Sequence, residues 1–405
     1  MSQGAAGHRP PSVLRIPGFR WFMFSQLGAN CALWMHRTTH VWLVLGLAEG
    51  QGGAVGLVTS LQFAPMILLG LGGSTLGERF DKRRLMMTTQ LTVAVACAVV
   101  VVMSQLGAMN LAAAYVLAVV LGIPGAVDAP VRLSYPRQLV PRNRLPAAVG
   151  MNGAVFQLAR VAGPALAGAV IGMWGTTTTF ACAGGFALAG ALSLIRVPRR
   201  SREAHVDPLT IPGWPATFRG LRAAGTALPL ACGLVLGIGM TNLQLVVPLT
   251  LGPAEAGSYG LLLAMIGAGG VVGAALTSAL GREPGDRALT LWSALFAGSC
   301  LVFALSGGVP VQAVVLFVAG LLMQTFGTTA ISALQLRGDA AVQGRLMTLY
   351  VIAFFIWTPV GAPLFGRVCD HLGPAAALIG SAVICLLLVA GCHVLLGRSH
   401  RLRPG

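Results

Sequence analysis

Apolar runs long enough to cross a bilayer, separated by short charged links, recur along the whole chain. Residues 50–77 carry no charged side chain and neither do residues 85–127, yet the seven residues from Glu78 to Arg84 hold six charges. A helix needs about 20 apolar residues to span the hydrocarbon core, and runs of that length predict twelve helices: 19–47, 55–77, 85–106, 110–135, a fifth within 142–168, 177–195, 223–249, 259–281, 288–305, 309–334, 346–365 and 375–396. The segments do not alternate polar and apolar residues as barrel strands would. The pattern therefore predicts an all-α membrane protein with twelve transmembrane helices in two pseudo-symmetric six-helix halves. The divisions are a tail (1–18), a six-helix bundle (19–195), a charged, Pro-rich linker (196–222), a second bundle (223–397) and a basic tail (398–405).

Composition agrees. Of 405 residues, 56% are hydrophobic and 9% charged, with a mean hydropathy of +0.79; a water-soluble fold cannot hide that much apolar surface. The net charge of +16 invites a nucleic-acid reading, but the distribution argues against it. Setting aside Arg37, Arg160 and Arg367, the other Lys and Arg fall in the tails or alternate links, while the intervening links hold little beyond Glu49, Glu255 and Asp370. This is the positive-inside pattern. It predicts both termini in the cytosol and a lipid bilayer, with no nucleic acid, as the partner. Seven of the eight Cys fall inside predicted spans, Cys369 being the exception, and there is no C-x-x-C pair, so they read as small core residues. The polar, basic N-terminus leads into a run too long for a cleavable signal.

The two halves repeat. LGERFDKRRL (76–85) aligns without gaps to LGREPGDRAL (280–289), Gly56-Leu57 matches Gly260-Leu261 at the same offset, and GPALAGAVIGMWG (163–175) aligns with GAPLFGRVCDHLG (361–373). Six helices, a linker and six helices again is a transporter arrangement, in which substrate binds at midplane between halves that rock.

Three stretches resemble the major facilitator superfamily. GGSTLGERFDKRRL (72–85) is similar to its signature between helices 2 and 3, G-x-L-a-D-R-x-G-R-R, with Gly73 beside the first Gly position, Glu78 for Asp and Asp81 for the second Gly. WMHRTTHVWLVL resembles W-M-Q-R-T-A-Q-D-W-L-V-L of the branch that holds transmembrane secretion effectors, macrolide-type efflux proteins and the enterobactin exporter. Residues 142–168 resemble the same branch at Asn152, Arg160, Gly163, Pro164 and Gly168. The resemblance implies a monomeric secondary transporter in the cytoplasmic membrane of a prokaryote. It would export a small amphiphilic compound by alternating access on an ion gradient, with protons as the coupling ion and no cofactor; uptake by the same fold is the alternative. It also implies a latch built on Gly73, Glu78, Arg79, Asp81 and Arg83. In the family a helix-4 acid, here Asp128, pairs with a latch arginine, Arg79 or Arg83; Arg132, one turn on, is the other candidate. The arginine early in helix 4 of many drug/proton antiporters is missing, which counts against a standard coupling apparatus.

Polar groups inside spans are costly and mark candidate sites. Arg160 lies 15 residues into helix 5, near midplane, with Asn152 two turns earlier; it is either a cavity arginine or a structural partner of a neighbouring carbonyl. Arg37 either makes the cavity positive, favouring anionic or phenolate-bearing substrates, or reaches out to headgroups. His36 and His40 stand at i, i+4 but lack a nearby third ligand, so no metal is expected. His40, Gln62, Asn242, Gln324 and Thr328 complete the expected cavity wall, though Thr can simply bond its own helix. Gly163 provides a smooth helix face and Pro164 permits a bend. With no Walker loop, no hydrolytic triad spacing and no soluble domain, nothing points to enzymatic chemistry or to ATP-driven pumping, and a non-transporting membrane receptor or membrane-embedded enzyme stands as the remaining alternative.

Overall fold

The computed structural model describes residues 13–70, 81–198, 226–252, 255–280, 285–337 and 343–397. The predicted latch positions Gly73, Glu78 and Arg79, most of the linker, residues 1–12 and the C-terminal tail lie outside the described residues. Among those described there is helix and no strand.

The first helices are α1 (Pro17–Leu47), α2 (Gly52–Gly70), α3 (Lys82–Gln105) and α4 (Leu111–Ser134). Local chemistry sets their starts. Pro17 opens α1, where its missing N–H costs nothing. Asp81 and Asn110 cap α3 and α4 by accepting the N–H of Arg84 and of Ala113, each at 2.9 Å. Asp81, expected in the latch, thus serves as an N-cap. Leu145–Ile195 is one 51-residue run, about 77 Å long at helical rise and more than twice the hydrocarbon thickness. It turns back at Gly175, whose φ of 80° and ψ of 176° suit glycine; the two limbs are α5 (145–174) and α6 (176–195).

The second half contains α7 (Ala227–Leu249), α8 (Ala256–Leu280), α9 (Asp286–Leu305), α10 (Val309–Arg337), α11 and α12 (Pro374–Gly397). Helix α11 comprises Gln343–Phe355 and Trp357–Leu372, loosened at Ile356. It runs past the end predicted at residue 365, so Cys369 and Asp370 lie on the helix rather than in a link. Ten described helices are long and apolar enough to cross a membrane. Splitting Leu145–Ile195 at Gly175 and adding α1, whose polar centre lowers its hydropathy, gives twelve spans. Large apolar residues face outward, Leu68 being 77% exposed and Leu387 68%, as acyl chains accept and water would not.

The halves meet along two seams at the end of the bundle that carries the α1–α2 link. In the α2–α11 seam, Gly56 packs on the backbone of Ala362 and Pro363, Ser60 Oγ donates to the carbonyl of Pro359, and Phe63 stacks on Phe355 at 5.8 Å. In the α5–α8 seam, a Cβ on Gly168 would stand 2.6 Å from Gly260 Cα and 2.8 Å from the carbonyl of Ala256. The seams are images of each other. The offset that pairs Gly56 with Gly260 also pairs Gly52 with Ala256, and the second repeat pairs Gly168 with Gly366, which packs on the Gly52 carbonyl. The repeated glycines are therefore points of close backbone approach between the halves.

Candidate functional site

A cavity of about 80 Å³ lies between the halves where the seams converge. From α1 it takes Trp34 and Arg37, from α2 Gln62 and Phe63, from α5 Arg160 and Pro164, and from α8 Tyr259. Three expected cavity residues, Arg37, Gln62 and Arg160, are thus brought together. Close packing of α1 on α5 permits this: a Cβ on Gly163 would stand 2.5 Å from Trp34 Cβ.

Both guanidiniums rest on aromatic faces. Arg37 lies 4.4 Å from the Phe63 ring centroid and Arg160 5.9 Å from that of Trp34. Such contacts hold a desolvated cation weakly. The ion pairs among the described residues, Arg132–Asp128 and Arg337–Asp286, involve neither of them. Arg160 Nη2 lies 3.9 Å from Met323 Sδ, and this sulfur is a weak acceptor. The cavity therefore carries two positive charges that no described carboxylate matches. Trp42 stacks on Tyr259 at 5.1 Å and 20° toward the α1–α2 link, placing aromatic rings between the cavity and that end of the bundle.

Other expected wall residues sit elsewhere. His40 is fully buried; its Nε2 lies 2.9 Å from the carbonyl of Ala114 and its ring meets Phe180 edge-on, so it joins α1 to α4 and α6. Asn242 donates to Ser381 Oγ at 2.7 Å and accepts from Trp357 Nε1 at 3.3 Å, tying α7 to α11 and α12. Thr328 donates to Thr277 Oγ1 at 3.0 Å and bonds its own helix. Gln324 accepts from Gln157 Nε2 at 3.5 Å, a link between halves. In each case the polar side chain found a protein partner, an outcome helical spacing alone does not distinguish from a cavity wall.

Asn152, Asp128 and Arg132 belong to one buried network across four helices. Asp128 pairs with Arg132 Nε and accepts from Thr89 Oγ1 at 3.0 Å. Arg132 Nη1 donates to Gln26 Oε1 at 2.8 Å, and Gln26 Nε2 donates to Asn152 Oδ1. Arg132, counted by its sequence position with the link charges, is 5% exposed inside α4. Arg83 does not reach Asp128: its Nε and Nη2 donate at 2.7 and 2.8 Å to the carbonyls of Leu194 and Ile195, at the C-terminal end of α6. The network makes Gln26 and Thr89 important, and the sequence signal for both was weak, one polar residue among several on its helix with nothing to single it out.

A second missed residue is Asp370. Its carboxylate accepts from the N–H of Gly52 at 2.5 Å and of Gly53 at 2.9 Å, capping the start of α2 from the opposite half.

Comparison with known proteins places this arrangement. The profile of a family described as transmembrane secretion effector matches residues 9–403. The staphyloferrin A transporter of Staphylococcus aureus is 21% identical over 384 residues, covering 91% of this chain and 94% of that protein. An uncharacterised MFS-type transporter of Bacillus subtilis, YfiS, is 24% identical over 406 residues, covering 94% and 93%. Among solved structures, a bacterial homologue of the human lysosomal transporter Spinster, inward-facing and unoccupied, superposes with a TM-score of 0.72 at 14% identity, covering 94% of this chain and 97% of that one. The peptide transporter POT superposes with a TM-score of 0.74 at 14% identity, covering 96% of each chain.

Proposed function

The chain belongs to the transmembrane secretion effector family of major facilitator transporters, and from that premise we propose that it exports a small amphiphilic compound bearing an anionic or phenolate group, by alternating access driven by protons. One observation carries the substrate class: Arg37 and Arg160 face the same inter-half cavity with aromatic surfaces beside them and no carboxylate within ion-pair distance among the described residues. An intramembrane arginine without a counter-charge is costly, and a bound anion relieves that cost through charge-assisted hydrogen bonds. The aromatic neighbours Trp34, Phe63 and Tyr259 suit a ring-bearing substrate. A cavity of about 80 Å³ is smaller than typical drug-sized sites of about 300 Å³ or more, so the halves must shift and widen it to hold cargo.

Proteoliposomes test this reading. Flux of a panel of siderophores and antibiotics under an imposed pH gradient should run outward from the side of the termini; inward flux would instead favour uptake. Arg160→Gln keeps hydrogen-bonding capacity while deleting charge. It should weaken anionic substrates by about tenfold or more relative to neutral ones, the scale of a charge-assisted hydrogen bond. Uniform loss of folded protein with unchanged selectivity would return Arg160 to a structural role.

Orientation follows from the basic links. Single cysteines at Ser201 and at the exposed Gln51 should label from opposite faces, Ser201 from the cytosol. Labelling of both from one face would overturn the topology.

A further inference from the structure

A groove of about 440 Å³ lies between α1, α3, α4 and α5. It adjoins the central cavity at Gly125, where an added Cβ would stand 3.6 Å from Arg37 Nη2. Three of its lining residues carry buried polar atoms without a partner: Gln90 Oε1, both ring nitrogens of His36, and Arg132 Nη2. These residues are 4%, 1% and 5% exposed. Buried polar groups are rarely left unpaired, so three around one void point to something that fills it.

The chemistry of the set narrows the ligand. Arg132 Nη2 can only donate, Gln90 Oε1 can only accept, and a neutral imidazole does one through each nitrogen. The Arg132 charge is already matched by Asp128, so the groove, unlike the Arg37–Arg160 cavity, has no net charge to offer an ion. Leu33, Leu121, Pro124 and Phe156 add apolar walls, while the polar Gln26, Asn30 and Asn152 that also line it are bonded within the protein.

We propose that this groove is a second binding site, specific for an uncharged amphiphile whose head both donates and accepts hydrogen bonds, such as a phenol or a carboxamide. The site is distinct from the anion-accepting cavity it adjoins, and its occupancy does not depend on the direction or energetics of transport.

The test uses the full chain in nanodiscs and measures saturable binding by equilibrium dialysis with three probes that share one ring system: 1-naphthol, 1-naphthoate and naphthalene. Two variants report on the groove. Gln90→Leu removes the unpartnered acceptor, and Gly153→Trp adds a ring at a lining position where a Cβ would meet nothing within 4 Å. The expected result is a saturable 1-naphthol component that weakens about five- to tenfold in each variant, the scale of a hydrogen bond to a well-placed partner, with neither other probe showing a component that responds to both. Gel filtration and thermal melts establish that the variants are folded, and if one is not, the other decides. Unchanged 1-naphthol binding in a folded variant would overturn the site and leave a groove filled by solvent only. Equal, variant-sensitive binding of 1-naphthoate would overturn the ligand class.

Discussion

Gly260→Val should abolish turnover, by about two orders of magnitude, while leaving folded protein in the membrane. A Cβ at this position would stand 2.5 Å from Gly168 Cα and from the Pro164 carbonyl. Those are backbone atoms, so the clash cannot be relieved by a rotamer change. Each half keeps its own packing, and only the closed α5–α8 seam becomes inaccessible. The protein should then rest with the α1–α2 end parted, because a population shift requires only that one state be penalised. A single cysteine at Val55, fully buried in the structure, checks this in a background cleared of the eight native cysteines. It should be protected in the otherwise unmodified protein and labelled in the valine variant. Normal flux with a protected Val55 position would show that the seam does not govern access.

Asp128→Asn should have the largest effect on stability. It leaves the Arg132 guanidinium buried without its counter-charge, and breaking such a pair costs about 3–5 kcal/mol. The loss should appear as a lower melting temperature in detergent and a smaller monodisperse fraction. Arg132→Gln added to Asp128→Asn should recover part of it, because the pair is then removed together rather than halved. If the double variant is no better than the single one, Asp128 acts through partners other than Arg132. In variants that survive, transport should slow while affinity for anionic cargo at the Arg37–Arg160 cavity is nearly kept, since Asp128 does not line that cavity.

Much of this was readable from the chain. Charge-free length gave the spans, and the repeat located the glycines that turned out to be the contact points of the two halves. Arg37 and Arg160 were legible because a lone arginine in a span demands an explanation. The partners of polar residues were not legible. His40 and Asn242 looked like cavity residues, yet each bonds a group 74 or more positions away in sequence, and no local pattern encodes such a pairing. Asp370 was read as a link residue because α11 extends beyond its most apolar stretch, and its task depends on the start of α2 in the other half. Arg132 is the exception: counted with the link charges by position, it was also one of the candidate partners of Asp128, and the i, i+4 spacing gives the pair that is found.

The two seams are images in backbone but not in charge. At the α2–α11 seam, Asp370 holds the amides of Gly52 and Gly53. The repeat puts Gly172 at the equivalent place in the α5–α8 seam, where an added Cβ would come only within 3.9 Å of the Gly257 nitrogen. Among the described residues, one side of the closed end thus has a catch and the other only a snug fit. The consequence is an order of opening: the uncaught side yields first, as a lateral slit facing the acyl chains, before a pore opens to water. If the protein exports as proposed, a greasy cargo would leave through such a slit directly into the leaflet, and the bilayer itself would become part of the exit route.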